Sequence, residues 1–225
     1  MKTKLIIVVC ACAFTLTACG NDNPDGSTGG GTSTGGSTIV NADEAAEKGF
    51  ERIEMRGDVD VYYTQGRSAS VRFNDGRPSG VVLECDGRTL VLSNRGSGSS
   101  VDVYVTSPRL TGVTVDGPGD FKCDGDISTG TIDITTLSTG DVNLKSLDCD
   151  ECRATVTGEG DIDADRFTAD RLIAKTSGPG DINLENVRID YADCTVESSG
   201  DIDLDGYVGR CDRHVTGSGT VDINP

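Results

Sequence analysis

A short motif returns about every 20 residues in the second half of the chain, and it constrains the fold more than any other feature. It reads "GPGDFKC" at 117–123, "STGDVNL" at 138–144, "GEGDIDA" at 158–164, "GPGDINL" at 178–184, "SSGDIDL" at 198–204 and "GSGTVDI" at 217–223. The glycine before the Asp, or before the final Thr, recurs at intervals of 21, 20, 20, 20 and 19 residues. Such a period indicates a solenoid whose units bury apolar faces only against neighbours. Twenty residues are short for a helix pair or a propeller blade and fit one coil of a β-solenoid.

The residues after each glycine alternate in polarity, which predicts the direction of their side chains. Apolar residues stand two and four positions after the glycine, as in Ile182 and Leu184, while Asp or Asn stands between them. Successive side chains of a strand point to opposite faces, so the apolar residues should point inward and the acidic ones outward. The glycines supply turns before each strand.

Four further inward sets complete each coil. They recur in register with the motif and comprise Cys149, Ala169, Ile189 and Val208; Cys152, Leu172, Ala192 and Cys211; and Ala154, Ala174 and Cys194, followed by Val156, Thr176, Val196 and Val215. Three short apolar faces per coil predict an all-β, three-sided, β-helix-like solenoid. The small residues in these sets suit a narrow interior.

The N-terminal half is also predicted to be β, with a less regular period. "RGDVDVYY" at 56–63 repeats the Gly-Asp-apolar pattern, and "CDGRTLVL" at 85–92 reads as a hairpin with Asp86-Gly87 in its turn. "NADEAAEKGFERI" could hold one short helix. A terminal unit of a solenoid is expected to be atypical, because it must cap an open edge.

The first residues predict a lipoprotein signal peptide over 1–18. Lys2 and Lys4 precede a short apolar run that ends in "LTAC" at 16–19. This segment closely resembles a bacterial lipobox, which implies cleavage before Cys19 and lipidation of that cysteine. The alternative is an ordinary secretory peptide. Residues 19–38 then hold the lipidated cysteine and a Gly/Ser/Thr linker, and 39–225 form the solenoid domain.

The strong acidic balance limits the partners. The net charge is −17, and it becomes −19 when Lys2 and Lys4 leave with the signal peptide. Nucleic acid is excluded as a partner, because phosphate binding needs a basic footprint. Solubility is the favoured explanation of the charge, ahead of a specific cationic partner.

Six cysteines and one histidine remain in the mature chain as candidates for chemistry. The cysteines are Cys85, Cys123, Cys149, Cys152, Cys194 and Cys211. Most fall at inward positions, which favours unpaired core thiols; a Cys149–Cys152 bridge is the alternative, and a zinc site is disfavoured. His214 alternates outward and is interpreted as a surface residue. We therefore expect no catalytic residues and no enzyme activity.

Columns of outward aspartates are the most interesting chemistry in the sequence. Asp120 begins one column, and its other members are weak candidates for cation binding: Asp141, Asp161, Asp181 and Asp201. Their carboxylates either fold back onto turn amides, which is the favoured interpretation, or hold Ca²⁺ between coils. Paired carboxylates could also cleave glycosidic bonds, but identical pairs in every coil argue against it. No cofactor is expected beyond this possible Ca²⁺.

The chain resembles the head GIN domain family of auto-transporter adhesins, common in envelope proteins of Bacteroidetes. "GFERIEMRGDVDVYYTQG", "GRTLVL", "VDVYVTSPRLTGVTVDGPGDF" and the repeated Gly-Asp turns carry the resemblance over about residues 49–224. The resemblance implies a β-solenoid-like fold, often behind a lipoprotein or secretion signal. It carries over no catalytic residue.

These observations predict a non-enzymatic, lipid-anchored protein of the cell envelope. Its N-terminal lipid would hold it to the outer membrane, on either the periplasmic or the surface face. It would serve as an adhesin or as a structural or binding module for a glycan or protein. The rivals are a carbohydrate-active β-helix enzyme and an envelope sensor domain.

Overall fold

A computed structural model describes residues 38–74, 78–96 and 100–225. The signal peptide, Cys19 and almost all of the linker lie outside the described residues. One helix, α1 (Ala42–Lys48), accompanies fifteen strands joined in a single sheet. The strands are β1 (Thr38–Val40), β2 (Arg52–Arg56), β3 (Val59–Gln65), β4 (Ser70–Phe73), β5 (Val81–Cys85), β6 (Thr89–Asn94), β7 (Val101–Ser107), β8 (Gly112–Asp116), β9 (Phe121–Thr136), β10 (Val142–Val156), β11 (Ile162–Ala164), β12 (Phe167–Thr176), β13 (Ile182–Val196), β14 (Ile202–Val215) and β15 (Val221–Asn224).

Strands β9 to β15 form the predicted β-solenoid with coils of about 20 residues. Successive coils pair in parallel and in register: Val142 lies between Phe121 and Ile162, and Ile182 lies between Ile162 and Ile202. This pairing confirms the prediction drawn from the repeat. The long strands include the corners of the coil, because backbone hydrogen bonding to the next coil continues through them.

The inward sets form one continuous core, as the alternation predicted. Ile182 and Leu184 are buried, as are Cys152, Leu172 and Ala192 on another side of the coil. Two threonines also point inward, and both are satisfied: Thr136 Oγ1 donates to the Gly160 carbonyl at 3.1 Å, and Thr176 Oγ1 donates to the Gly200 carbonyl at 3.3 Å. Each of these two buried hydroxyls therefore has a partner that offsets its desolvation.

The motif glycines allow the coils to stack closely at one corner. A Cβ on Gly160 would overlap the carbonyl oxygen of Gly140, and one on Gly180 would overlap that of Gly160. The same overlap recurs at Gly140, Gly200 and Gly219. These glycines are needed for backbone proximity; their φ values lie outside the left-handed region.

The N-terminal strands β1 to β8, called the N-terminal layers below, join the sheet in an order that differs from their order along the chain. β2 lies between β6 and β8, and β3 pairs with both β7 and β9. The upstream Gly-Asp motif is shifted relative to the repeat, since Val61 pairs with Phe121. Asp60, and not Asp58, therefore continues the aspartate column, which corrects the alignment suggested by "RGDVDVYY".

Antiparallel strands and the helix close this end of the solenoid, as expected for a terminal unit. β1 pairs with β5, β5 forms the predicted hairpin with β6, and β4 pairs with β7. Helix α1 packs against β4 and β5. It begins with a capping box in which Asn41 and Glu44 each accept a hydrogen bond from the other's backbone amide at 2.9 Å.

At the open C-terminal end the prediction of inward burial is wrong for Val215, which is 46% exposed. Val208 and Cys211 are partly buried and pack against the core. β15 pairs only with Ile202–Asp205 of β14, so no further coil covers the rest of that strand. Arg213 takes the inward column position next to Cys194, and its Nη1 reaches the Val221 carbonyl at 2.9 Å.

We predict that Gly160→Ala destabilises the domain far more than Gly125→Ala. The added methyl group would meet backbone of the preceding coil at Gly160, whereas nothing lies within 4 Å of a Cβ at Gly125. Overpacking against fixed backbone should lower the free energy of unfolding by about 1–3 kcal/mol. Chemical denaturation of both variants measures the difference. Equal stabilities would show that the coils are not held at this spacing.

Candidate functional site: the aspartate ladder and an arginine-lined cavity

The repeated aspartates form a ladder of hydrogen bonds that runs from coil to coil. In each step the Oδ1 atom of one aspartate accepts the backbone N–H of the residue that occupies the same column in the next coil. The pairs are Asp60–Asp120 (2.8 Å), Asp120–Asp141 (3.0 Å), Asp141–Asp161 (2.9 Å), Asp161–Asp181 (2.7 Å), Asp181–Asp201 (2.7 Å) and Asp201–Thr220 (2.6 Å). Each carboxylate thus accepts a hydrogen bond from the backbone amide of the residue that follows the motif glycine in the next coil.

This ladder differs from the expected arrangement, in which each carboxylate would fold back onto its own turn. The acceptor serves the next coil instead, because the close approach at the glycines brings that amide within reach. Further contacts offset the crowding of negative charge. Lys122 Nζ lies 2.9 Å from Asp120 Oδ2, and Asn183 Nδ2 donates to Asp163 Oδ1 at 3.0 Å.

Burial changes the acidity of some of these carboxyl groups. It raises the pKa of Asp161, Asp163 and Asp203 above the ordinary value of 3.8, and neighbouring carboxylates add to the effect. Hydrogen bonding to the Asp120 carboxylate raises the pKa of Lys122, the largest of several contributions. Protonation of these carboxyl groups would therefore relieve electrostatic repulsion between neighbouring carboxylates in and beside the ladder.

The candidate cation ligands Asp141, Asp161, Asp181 and Asp201 are brought into one column as predicted. Each has Oδ1 engaged with a main-chain amide. Within residues 38–74, 78–96 and 100–225, no group of three or more His, Cys, Asp or Glu side chains is arranged to hold a metal ion. The calcium interpretation stays an untested prediction, and the hydrogen-bond ladder gives the column a structural role without it.

The six cysteines are free thiols in this structure, and all but the partly exposed Cys211 are buried. The pKa of Cys152 is raised mainly by a hydrogen bond with Cys149 and then by burial. Burial also raises the pKa values of Cys123 and Cys194. The Sγ atom of Cys194 lies 3.8 Å from the Sγ atom of Cys211. A raised thiol pKa lowers the thiolate fraction, so these groups are suited to packing rather than to nucleophilic chemistry.

His214 is exposed on β14, as its alternation predicted. It pairs across the sheet with Thr195 at the open end of the solenoid. The structure thus gives no buried, oriented imidazole of the kind that a nucleophile–base pair requires.

An arginine-lined cavity is a feature that the sequence did not reveal. It has a volume of about 470 Å³ and is lined by Glu51, Arg52, Arg88, Arg109, Thr111, Thr129, Gly130, Thr131 and Asp133. These residues come from the start of β2, the β5–β6 hairpin turn, the connection between β7 and β8, and β9. They are up to about 80 positions apart, and no motif links them.

A second exposed feature combines aromatic and basic side chains. Tyr62 and Tyr104 stack with ring centroids 5.2 Å apart, and Lys122 Nζ lies 6.0 Å from the centroid of the Tyr62 ring. Arg72 lies opposite Tyr104 on the antiparallel strand β4. Both features lie where the N-terminal layers meet β9, the first strand of the solenoid.

Comparison with known proteins identifies the family of this fold. The family model described as "Putative auto-transporter adhesin, head GIN domain" matches residues 49–224. The chain belongs to this family. The match spans the N-terminal layers as well as the regular coils, so the irregular half is part of the head GIN domain. No curated protein matches the chain.

Solved structures from Bacteroidetes share the fold. A "putative adhesin" from Bacteroides fragilis has 22% sequence identity and a TM-score of 0.60, over 78% of this chain and 92% of that chain. A "putative lipid binding protein" from Parabacteroides distasonis has 17% identity and a TM-score of 0.60, over 84% and 96%. A "putative adhesin" from Parabacteroides merdae has 17% identity and a TM-score of 0.51, over 84% and 96%. At these identities the likeness concerns the fold alone.

The family and two of these three structures are described as putative adhesins, and the third as a putative lipid binding protein. In the part of the chain that the structure describes, no helix has the length and apolar character needed to cross a membrane.

The ladder generates a prediction for pH dependence. Carboxyls with a folded-state pKa above 3.8 bind protons more readily in the folded than in the unfolded chain, so their contribution to stability is lost as pH rises. We expect the free energy of unfolding to increase as the pH is lowered from 7 toward about 4. Asp86 and Asp212, whose pKa values are lowered, act in the opposite direction only below about 3.8.

Chemical denaturation at pH 7 and at about pH 4.5 checks this prediction. In the control variant Asp161→Asn with Asp163→Asn, the amide oxygens can still accept the ladder hydrogen bonds but no longer titrate, so the pH dependence should be shallower. Lower stability of the wild-type protein at the acidic pH would contradict it.

Proposed function

We propose that this protein is a non-enzymatic, lipid-anchored binding module of the cell envelope that acts as an adhesin. The observation that carries the proposal is the use of the repeated residues. The motif glycines and aspartates are engaged in contacts between coils, so the repeat builds a rigid scaffold rather than a row of reactive sites. A rigid scaffold displays the side chains of its outer faces at fixed positions, which favours binding without a large ordering cost.

The distribution of side chains supports binding rather than catalysis. Asp141, Asp161 and Asp181 have equivalent surroundings in successive coils, whereas catalytic carboxylates need environments that push their pKa values apart. The irregular N-terminal layers, together with β9, carry the arginine-lined cavity and the tyrosine stack. These layers are therefore the part of the domain best suited to recognise a ligand.

The predicted lipid on Cys19 would attach this module to the outer membrane. A random-coil chain with the length of the 18 residues 21–38 would have an end-to-end distance of about 20–25 Å, which would hold the domain away from the lipid surface. The negative charge of the chain would further oppose close contact with an anionic membrane.

Metabolic labelling tests the anchor. We expect a fatty-acid analogue to label the wild-type protein in its host and to leave the Cys19→Ala variant unlabelled. Equal labelling of the two proteins would exclude lipidation at Cys19.

An array of glycans and extracellular matrix proteins tests the binding function. We expect residues 39–225 to bind at least one class of glycan or protein reproducibly and to release no product from glycan substrates. Heat-denatured protein at the same concentration serves as the control for nonspecific binding. Turnover of any glycan on the array would favour the carbohydrate-active enzyme instead, and a blank array would remove the support for an adhesin.

A further inference from the structure

The arginine-lined cavity concentrates positive charge on a protein whose net charge is −17. Arg52, Arg88 and Arg109 contribute three guanidinium groups, against the two carboxylates of Glu51 and Asp133. The remaining lining residues are three threonines and one glycine, so the cavity carries no apolar side chain. Its volume of about 470 Å³ lies within the range of small-molecule sites.

Arg52 is held in place from two sides. Its Nη1 atom donates to Asp133 Oδ2 at 3.1 Å and to the Thr111 carbonyl at 3.3 Å. A Cβ on Gly112 would collide with the guanidinium group, so the absence of a side chain there makes room for it. The hydrogen bonds use only Nη1, which leaves the other edge of the planar group available to a ligand.

The other two arginines are more exposed and less constrained. Arg88 forms an ion pair with Glu51 at 3.2 Å, while its side chain remains 71% exposed. Arg109 makes no ion pair with any residue in the described part of the chain, although its backbone is fixed by a hydrogen bond from Ser107 Oγ to its carbonyl at 2.8 Å. Arg109 therefore supplies a guanidinium whose charge no protein carboxylate offsets.

Asp133 does not neutralise the charge of Arg52 alone. Its second oxygen, Oδ1, lies 3.7 Å from Arg153 Nη1, so the carboxylate is shared between Arg52 and an arginine of the next coil. The cavity thus keeps an excess of positive charge beside a carboxylate that already has two partners.

One polar atom of the lining has no partner within the protein. Thr129 Oγ1 is buried, and among the described residues it is the side-chain oxygen or nitrogen that is buried without a hydrogen bond. A buried hydroxyl without a partner is costly and rare. The atom is inaccessible from outside and therefore belongs to the packing beneath the cavity wall, while the neighbouring Thr131 supplies an exposed hydroxyl on the same wall.

We propose that this cavity binds an acidic saccharide through the carboxylate of a uronic acid unit. Guanidinium groups pair with carboxylates in a planar, two-pronged geometry, which Arg109 and the free edge of Arg52 can supply. Thr131 then hydrogen-bonds a sugar hydroxyl. The assignment rests on the proposed binding function and names the ligand class and the site.

The surroundings favour a short acidic saccharide over other anions. The absence of apolar lining gives an acyl chain nothing to pack against, which disfavours an anionic lipid. A long polyanion would meet the acidic coils, whereas a short oligosaccharide places its charge in the cavity alone. Recognition would thus require both the carboxylate and the hydroxyls.

Titration calorimetry of the full-length protein in detergent tests the proposal with three probes. They are trigalacturonate, a neutral galactose trisaccharide and inorganic phosphate. We expect trigalacturonate to bind and the neutral trisaccharide to bind at least about tenfold more weakly, since charge-assisted hydrogen bonds would be missing. Added salt should weaken the binding.

Two variants and one control locate the site. Arg109→Ala should weaken trigalacturonate binding about tenfold or more, and Thr131→Val should weaken it to a smaller extent while keeping the shape of the cavity. Arg188→Ala removes an exposed arginine from the regular coils and should change nothing. Arg109→Gln replaces the alanine variant if that protein melts below the wild type.

Each other outcome overturns the assignment. Phosphate binding without trigalacturonate binding would reject a saccharide ligand, equal affinity of Arg109→Ala and wild type would reject the cavity, and no binding of any probe would reject both. The glycan and protein array, run on the same preparation, distinguishes failure of the proposed cavity from failure of the proposed adhesin function. A ligand found there that is indifferent to Arg109→Ala leaves the binding function standing without this site.

Discussion

The close approach of successive backbones at the motif glycines is the contact on which the other features of the solenoid depend. The carbonyl of Gly140 occupies the space that a Cβ on Gly160 would take, and the same relation recurs along the column. This approach brings the next amide within reach of the Asp141 carboxylate, whose Oδ1 accepts it at 2.9 Å. Glycine and aspartate therefore act as one unit. The glycine permits the close approach of the backbones, and the aspartate carboxylate accepts a hydrogen bond from the backbone amide beside it.

The ladder also explains why an acidic protein tolerates a column of like charges. Carboxylates about one strand spacing apart repel each other by roughly 0.8 kcal/mol per contact at the dielectric constant of water, and by more near a protein surface. A charge-assisted hydrogen bond to a backbone amide contributes roughly 1.5–3 kcal/mol. The hydrogen bond therefore offsets the repulsion where water screens the charges and only part of it elsewhere, and burial with repulsion from neighbouring carboxylates still raises the pKa of Asp161.

The two ends of the domain show how the repeat is interrupted. Antiparallel strands and α1 cover the N-terminal layers, so the edge there is closed by chain that no longer follows the 20-residue period. This irregularity frees Arg52, Arg88 and Arg109 from the repeated pattern and allows them to meet at one cavity. At the other end Val215 is exposed because the inward position exists without a following coil. The binding features we propose arise where the repeat no longer dictates each side chain.

The sequence by itself determined the coil length, the inward positions and the class of fold, because each is a local pattern repeated at a fixed interval. The alternation around Ile182 and the glycine period were enough to predict parallel, in-register coils. Only the tertiary structure decided that Asp60 continues the ladder, that β2 lies between β6 and β8, and that the cavity arginines converge. These features join residues tens of positions apart without a period. Their proximity is set by packing between layers, which no local pattern encodes.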